Sequence, residues 1–201
     1  MVTYTVTDAN ELLINYEATT DQETVFNITS HPFFNLNGQA TGTIQKHLLQ
    51  VNADNYTPVN ETLIPTGIFS VANTAFDFRK PKQIGENIND SNDQLKYGAG
   101  YDHNFVLNGN SLRNAATAVG DKTGIVMEVI TDQLGIQLYT GNWMQCENNI
   151  KYGLKDNHRE AFCLETQHFP DSPNHPDFPS TVLQPGKAFR STTVYKFSVQ
   201  S

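Results

Sequence analysis

The chain has 201 residues, a length typical of a single domain. Thirteen basic and twenty-one acidic side chains give a formal net charge of -8, which argues against nucleic-acid or anionic-membrane partners, since both need a basic surface. No apolar run reaches the length of a membrane helix, and the first residues, MVTYTVTDAN, lack a charged and then apolar signal pattern. We therefore expect a soluble, cytoplasmic protein, with another compartment open only if a further N-terminal segment carried a signal peptide.

Period-two alternation of apolar and polar residues predicts a β-hairpin at the N-terminus. Val2, Tyr4 and Val6 alternate with threonines, residues 8–11 supply a turn, and alternation resumes over residues 12–18. The first strand needs a neighbour on each side or becomes the edge of a sheet.

Further strands are predicted in the C-terminal half. Residues 125–130 and 136–139 flank a turn at 132–135, which predicts a second hairpin. Residues 161–167 predict a buried strand, and residues 189–199 a final strand whose alternate positions, from Phe189 onward, share one face.

Long polar segments rich in Asn, Asp, Pro and Gly separate these strands. The segments are residues 52–64, 76–102 and 171–186. Loops this long in a compact domain are functional or disordered, and the aromatic residues in them predict ordered walls around a cleft. No window shows a sustained helical period, and residues 82–88 predict one helical turn at most. We therefore predict an all-β fold, one antiparallel β-sandwich domain over residues 1–201.

The first candidate site is NITSHPFFNLNG, residues 27–38. Thr29, His31 and Phe33 would share a face if a strand continued through Pro32, but proline is typical of a strand edge or end, where a side chain can point into a cleft. Taken alone, the pattern favours a structural histidine hydrogen-bonded within a loop, and the alternative is the acid or base of an active site.

The second candidate site is AFCLETQHFPDSPNHPDFPS, residues 161–180. Strand alternation places Cys163, Glu165 and Gln167 on one face and Phe162, Leu164 and Thr166 on the other. A carboxylate in an apolar strand is costly to bury unpaired, so Glu165 must face water, a cation or a substrate. The carboxylate of Glu165 can accept hydrogen bonds from sugar hydroxyls, and the amide of Gln167 can donate hydrogen bonds to them. A salt-bridged or solvent-facing Glu165 is an equally favoured alternative.

The third candidate site is YGAGYDHNFVL, residues 97–107. Asp102 and His103 should point in opposite directions on a regular strand. The alternative is a turn leading into a strand, with Asp102 as a local cap.

Cofactor and metal signals are absent from the sequence. Cys146 and Cys163 match neither a metal spacing nor a disulfide framework, so we predict two free thiols. There is no His-x-His, HExxH or Cys pair, and His168 and His175 have no ligand spacing, so we predict that no metal is required. A phosphate loop, a dinucleotide fingerprint and a Gly-x-Ser-x-Gly elbow are also lacking.

Five motifs together resemble the aldose 1-epimerase (galactose mutarotase) family. They are NITSHPFFNLNG, NADNYTPVNETLIPTG, YDHNFVL, GIQLYTGNW and LETQHFPDSPNHPDFPSTVLQPG, in the family's order and spread over about the whole chain. The resemblance implies a large β-sandwich that binds a free hexose, galactose or glucose, in an open cleft and interconverts its α and β anomers without a cofactor.

The resemblance also implies roles for individual residues. Glu165 matches the family's general base, His31 its general acid, and Asp102 the acid that holds sugar hydroxyls. Gln167 matches a supporting contact and Trp143 an apolar wall for the sugar. Pro32 departs from the small residue that the family often has after the histidine, which could shift the backbone there.

Family members carry a long stretch before the strand that begins here at Val2, and it supplies an arginine and a second histidine in a segment resembling N-x-L-H-G-G. No such segment occurs in these 201 residues. We therefore expect the C-terminal portion of such a domain, with its N-terminal strands missing and its activity weak or absent in isolation. We also expect self-association, or pairing with a separate N-terminal chain, through exposed strand edges.

Two other functions remain open at this stage. A non-catalytic carbohydrate-binding module on the same fold would use Asp102, Trp143 and Gln167, but it would not need a paired acid and base. An epimerase of phosphorylated hexoses would need basic residues in its cleft, and this acidic chain has few arginines. They are Arg79, Arg113, Arg159 and Arg190.

Overall fold

The computed structural model describes residues 1–200, and its regular secondary structure is mostly strand. The strands are β1 (Val2–Thr7), β2 (Glu11–Thr19), β3 (Thr24–Val25), β4 (Leu48–Val51), β5 (Ala53–Thr57), β6 (Phe69–Ser70), β7 (Lys82–Gln83), β8 (Asp102–Leu107), β9 (Arg113–Val119), β10 (Ile125–Thr131), β11 (Gly135–Tyr139), β12 (Cys163–Gln167), β13 (Val182–Leu183) and β14 (Ala188–Val199). The helices are α1 (Asp93–Tyr97) and three 3₁₀ turns, Ile44–Lys46, Lys151–Gly153 and Ser172–Asn174. Within residues 1–200, none of these helices has the length and apolar character needed to cross a membrane.

The strands form two large antiparallel sheets and one small one. The seven-stranded sheet has the order β1-β2-β14-β10-β9-β4-β7, and the five-stranded sheet has the order β12-β11-β8-β5-β6. A two-stranded sheet pairs β13 with β3. The predicted antiparallel β-sandwich is confirmed.

The core lies between the two large sheets. Tyr195 on β14 donates a hydrogen bond to the carbonyl of Leu164 on β12 over 2.8 Å, and the hydroxyls of Thr193 and Thr166 meet at 2.5 Å. Thr166 and Leu164 therefore face the seven-stranded sheet. Because side chains alternate along a strand, Glu165 faces the other way, as the sequence predicts.

The N-terminal hairpin is confirmed, but the second predicted hairpin is wrong. β1 pairs with β2, whereas β10 and β11 belong to different sheets. The three-residue connection between them is a crossing from one sheet to the other, and its Gln133 is buried and donates to the Ser191 hydroxyl of β14 over 2.7 Å. The same turn residues serve a hairpin or a crossing, so alternation cannot tell the two apart.

The long polar segments contain short elements that the sequence did not reveal. Residues 52–64 include β5, residues 76–102 include β7 and α1, and residues 171–186 include a 3₁₀ turn and β13. Residues 82–88, for which the sequence predicts one helical turn at most, begin with β7 and contain no helix. The α-helix begins after Asn92, whose side chain accepts a hydrogen bond from the backbone N–H of Gln94.

β1 is an edge strand with apolar side chains in solvent. Val2, Tyr4 and Val6 are 41%, 61% and 81% exposed. Tyr4 is directly opposite Ile14 of β2, which is 0% exposed. Directly opposed residues share a face of the sheet, so the core side of the hairpin is covered at β2 and uncovered at β1.

Candidate active site

His31 lies in an irregular segment that is held in place by the core. Residues 27–33 are not a strand, so the condition under which Thr29, His31 and Phe33 would share a face is not met. Phe34 forms a two-way backbone bridge with Phe162, and its ring packs 5.1 Å from that of Tyr195. This anchor, three residues after His31, brings the histidine over the outer face of β12.

Glu165, on the edge strand β12, begins a polar row across the five-stranded sheet. It is directly opposite Gln137 on β11, which is in turn opposite Asn104 on β8. Two residues along each strand, Cys163 is opposite Tyr139, and Tyr139 is opposite Asp102. Directly opposed residues share a face, so all of these side chains lie on the face away from the core.

His31 and Glu165 form a close pair at the boundary between protein and solvent. Nε2 of His31 is 3.3 Å from Oε1 of Glu165, and their side chains are 46% and 10% exposed. Burial raises the pKa of Glu165 to about 7, an effect that nearby His31 opposes and nearby Asp102 adds to. A carboxyl with a pKa near neutrality beside an imidazole can accept and return a proton at physiological pH.

Asp102 is held beside this pair by an amide. Nε2 of Gln137 donates to Oδ1 of Asp102 over 2.8 Å. Burial raises the pKa of Asp102, and the Gln137 hydrogen bond and His31 oppose that rise. Asp102 and His103 point in opposite directions as predicted, since His103 is 0% exposed on the core side and burial there lowers its pKa.

Tyr139 lies beside His31, and the backbone of Trp143 is bonded to Tyr139. The Tyr139 ring lies 5.8 Å from the His31 ring, and its hydroxyl accepts from the backbone N–H of Trp143 over 2.9 Å. The Trp143 side chain is 53% exposed, an apolar surface at the rim. Gln167 is buried at the end of β12 on the Glu165 face, one alternate position further along the strand.

A recess of about 190 Å³ extends from Asp102 along the polar row. Asp102, Gln137, Asn104 and Thr57 line it from the sheet, beneath residues 59–65 and Pro170. Within residues 1–200, both amide atoms of Asn104 and Oε1 of Gln137 are buried without a hydrogen-bond partner. Buried amide atoms of this kind can bond the hydroxyl groups of a ligand.

Gly135 makes room for the Asn104 amide. A Cβ atom at this position would lie 2.3 Å from Oδ1 of Asn104 and 3.1 Å from the ring of Phe169. Any larger residue would therefore push the amide out of the polar row.

Most of the remaining titratable side chains are engaged elsewhere. His175 pairs with Asp171 at 3.4 Å, and the His168 ring meets Gln133 at 2.8 Å. Arg79 and Arg190 are paired with carboxylates, Arg113 bonds to backbone carbonyls, and Arg159 bonds to one backbone carbonyl and one side-chain amide. Arg79 contacts Asp77 and Asp54, and Arg190 contacts Glu17. Arg113 donates to the carbonyls of Asn108 and Thr131, and Arg159 to the carbonyl of Ala99 and the side chain of Asn89.

Among the described residues, the site is identified neither by a group of metal ligands nor by the size of its cavity. In the part of the chain that the structure describes, no three His, Cys, Asp or Glu residues are grouped to hold a metal ion, and Cys146 and Cys163 are free thiols. Two larger hollows, of about 380 and 670 Å³, border Arg79 and do not include His31 or Glu165. Chemistry and geometry therefore locate the site on the five-stranded sheet.

Sequence reasoning missed Gln137, Tyr139 and Asn104. Gln137 is a polar residue in the middle of the apolar strand GIQLY, which is the same signal that selected Glu165. Its place beside Glu165 depends on the pairing of β11 with β12, and the predicted pairing of residues 136–139 with residues 125–130 concealed it.

The fold and the site together define a class of protein: a β-sandwich with a histidine–carboxylate pair beside a polar, partly open cleft. A sequence model of aldose 1-epimerases matches residues 1–196. Human galactose mutarotase is 44% identical over 200 residues, covering 98% of this chain and 57% of that protein. The aldose 1-epimerase of Escherichia coli K12 is 37% identical over 207 residues, with the same coverage.

A solved structure agrees with these sequences. The galactose 1-epimerase of Lactobacillus acidophilus matches with a TM-score of 0.85 and 33% identity, over 100% of this chain and 57% of that one. This chain belongs to the aldose 1-epimerase family. It spans 57% of the length of the human and bacterial relatives that it matches.

Proposed function

We propose that this chain carries the acid–base centre of an aldose 1-epimerase that interconverts the α and β anomers of a free hexose. The observation that carries the proposal is the 3.3 Å contact between His31 and Glu165, where a half-exposed imidazole meets a largely buried carboxylate. Two such groups on one sugar can transfer protons to and from different oxygens.

The proposed reaction opens and recloses the sugar ring. The carboxylate of Glu165 removes the proton of the anomeric hydroxyl, the C1–O1 bond becomes a carbonyl, and the bond from C1 to the ring oxygen breaks. The ring oxygen takes a proton from Nε2 of His31. After rotation about the C1–C2 bond, the same two groups exchange roles and the ring closes on the other face. Each positioned proton transfer contributes roughly 10²–10⁴-fold.

The polar row fits the rest of a hexose. Asp102, Gln137 and Gln167 offer acceptors and donors for ring hydroxyls, and the unpartnered amide of Asn104 lies further along the recess. Trp143 offers an apolar face at the rim, against which the C–H face of a sugar can pack. A neutral substrate agrees with the acidic chain, and no arginine is bonded to a residue of this row.

Polarimetry of freshly dissolved α-galactose or α-glucose tests the proposal. We expect the purified chain to accelerate the change in rotation, and Glu165→Gln and His31→Asn to remove the acceleration. His175→Asn is the matched control, because His175 also pairs with a carboxylate but lies outside the site.

Two outcomes would contradict the proposal. A rate equal to that of buffer, with sugar binding retained, would identify a non-catalytic carbohydrate-binding module. Acceleration that persists in both Glu165→Gln and His31→Asn would show that the site is wrongly assigned.

We also propose that another chain adds a strand at β1. The strand VTYTVT has no charge, proline or bulge, which are the features that normally protect an edge. Its partner has to cover both the free edge and the apolar side chains of Val2, Tyr4 and Val6.

Two partners are considered, a second copy of this chain and a separate chain with the remaining strands of the family. Mass measurement in solution over a concentration series distinguishes them. A dimer that Tyr4→Lys dissociates supports the second copy. A monomer that binds an added chain carrying the remaining strands supports the other partner. A monomer that binds neither would contradict both.

A further inference from the structure

Cys163 contacts the nitrogen of His31 that faces away from Glu165. Sγ of Cys163 is 3.3 Å from Nδ1 of His31, and Nε2 of the same ring is 3.3 Å from Oε1 of Glu165. Cys163 and Glu165 are alternate residues of β12, so both point to the same face and the imidazole lies across them. The strand itself thus provides one contact for each ring nitrogen.

The environment of Cys163 keeps its side chain protonated as a thiol. Its side chain is 0% exposed, and burial strongly raises its pKa, with Glu165 and Asp102 adding to the rise. A thiol has one weak donor and can also accept weakly. It can therefore bond Nδ1 either as a donor to the lone pair of a neutral imidazole or as an acceptor from an imidazolium N–H.

The groups around the ring determine the neutral tautomer. An ionised Glu165 can only accept, so the Nε2 atom that faces it must carry the proton, and Nδ1 must then accept from the Cys163 S–H. The other side chains near the ring are Phe33, whose ring is 4.8 Å away, Tyr139, and the more distant Asp102. None of these is bonded to Nδ1 in the described structure.

We propose that Cys163 is a positioning residue, whose buried thiol holds Nδ1 of His31 so that Nε2 is the nitrogen presented to Glu165 and to the sugar. The inference rests on the proposed function for its catalytic meaning, but not for its test. In the acid step His31 acts as an imidazolium, protonated on both nitrogens: Nε2 gives its proton to the ring oxygen, and Nδ1 keeps its proton and donates a hydrogen bond to Sγ, so the thiol contacts Nδ1 as donor to the neutral Nε2–H ring and as acceptor from the imidazolium.

Long-range ¹H–¹⁵N correlation of the free protein, with ¹⁵N-labelled histidine, tests the contact directly. The His31 signals are assigned by their loss in His31→Asn. We expect neutral His31 to be mainly the Nε2–H tautomer, and Cys163→Ala to lower the ratio of Nε2–H to Nδ1–H by about threefold, as expected for loss of a weak hydrogen bond.

Two further variants make the result specific. Cys163→Ser keeps a donor at the same position and should restore the tautomer ratio towards that of the wild type. Cys146→Ala removes the other thiol, which is exposed, and should leave the ratio unchanged. An amide spectrum of each variant confirms that the protein is folded. A His31 pattern in Cys163→Ala identical to that of the wild type would overturn the proposal.

Polarimetry then links the contact to turnover. We expect Cys163→Ala to lower kcat by about 5–10-fold with little change in KM, and Cys163→Ser to recover part of the loss. If the wild-type chain does not accelerate mutarotation, the proposed function fails while the tautomer ratio still decides the role of Cys163. A changed ratio with unchanged kcat would show that the thiol does not serve catalysis.

Discussion

The site face of β12, β11 and β8 and the edge strand β1 depart from normal burial in opposite ways. On the site face, polar side chains such as Glu165, Asn104 and Gln167 are buried. On β1, apolar side chains such as Tyr4 and Val6 are exposed. The strands of both regions have ordinary period-two alternation, so the difference in burial comes from what covers each face. Buried polar groups indicate a ligand that can bond them, whereas exposed apolar groups indicate a partner that can cover them.

The largest expected effect is the loss of activity when the carboxylate of the polar site is removed. Glu165→Gln removes the base but keeps the size and an acceptor of the side chain, so kcat/KM should fall by about 10²–10⁴-fold. Adding His31→Asn should cost much less than a second factor of that size, because the two residues act as a unit. Stopped-flow polarimetry measures both rates, and full additivity would contradict a shared proton-transfer step.

The pH dependence should report the buried carboxylate. Because Glu165 must be ionised to accept a proton and its pKa is raised to about 7, kcat/KM should fall about tenfold per pH unit below that value. Asp102→Asn removes a charge that raises this pKa, so the acid limb should move to lower pH even though sugar binding weakens. The profile of kcat/KM against pH measures both effects, and an acid limb near pH 4.5 would contradict the raised pKa of Glu165.

The buried carboxylate of Glu165 should lower the stability of the folded protein at pH values where it is charged. Its pKa is about 7 when folded against an ordinary value of 4.5, so the cost is absent below pH 4.5, grows between the two values and is complete above 7. Glu165→Gln should therefore raise Tm by about 2–4 °C at pH 8 and by almost nothing at pH 4. Thermal unfolding followed by circular dichroism tests this, and an equal change at both pH values would contradict it.

The smallest effect is expected on the edge strand. Tyr4→Lys should change the free energy of unfolding of the monomer by no more than about 0.5 kcal/mol, since its side chain is 61% exposed. Its directly opposed neighbour provides the contrast: Ile14→Ala, at 0% exposure, should cost about 2–5 kcal/mol. Urea unfolding of both variants measures the difference. A large loss in Tyr4→Lys would mean that the uncovered face contributes to the fold of the single chain.

Much of the site could be predicted because strand alternation is local. The faces of Cys163, Glu165 and Gln167, and the opposite directions of Asp102 and His103, follow from the pleat alone. The roles given to His31, Glu165 and Asp102 came from motif resemblance. The structure brings all three together, and only the proposed assays test those roles.

Other parts of the site could not be predicted because they depend on strand pairing. Gln137 joins the site only because β11 lies between β12 and β8, and the sequence favoured pairing it with residues 125–130. The three residues between β10 and β11 are compatible with a hairpin or with a crossing between sheets. Packing of Gln133 against Ser191 of β14 decides between them.

The sequence by itself determined that this protein is made of antiparallel strands and that Glu165 lies on the opposite face of its strand from Leu164 and Thr166, because a two-residue period fixes which side chains share a face. Only the tertiary structure decided which strands are neighbours, that His31 lies across Cys163 and Glu165, and that β1 has its core side uncovered. Those features depend on contacts between residues far apart in the chain, such as the 132 residues that separate His31 from Cys163. Such contacts form only when the two sheets pack together.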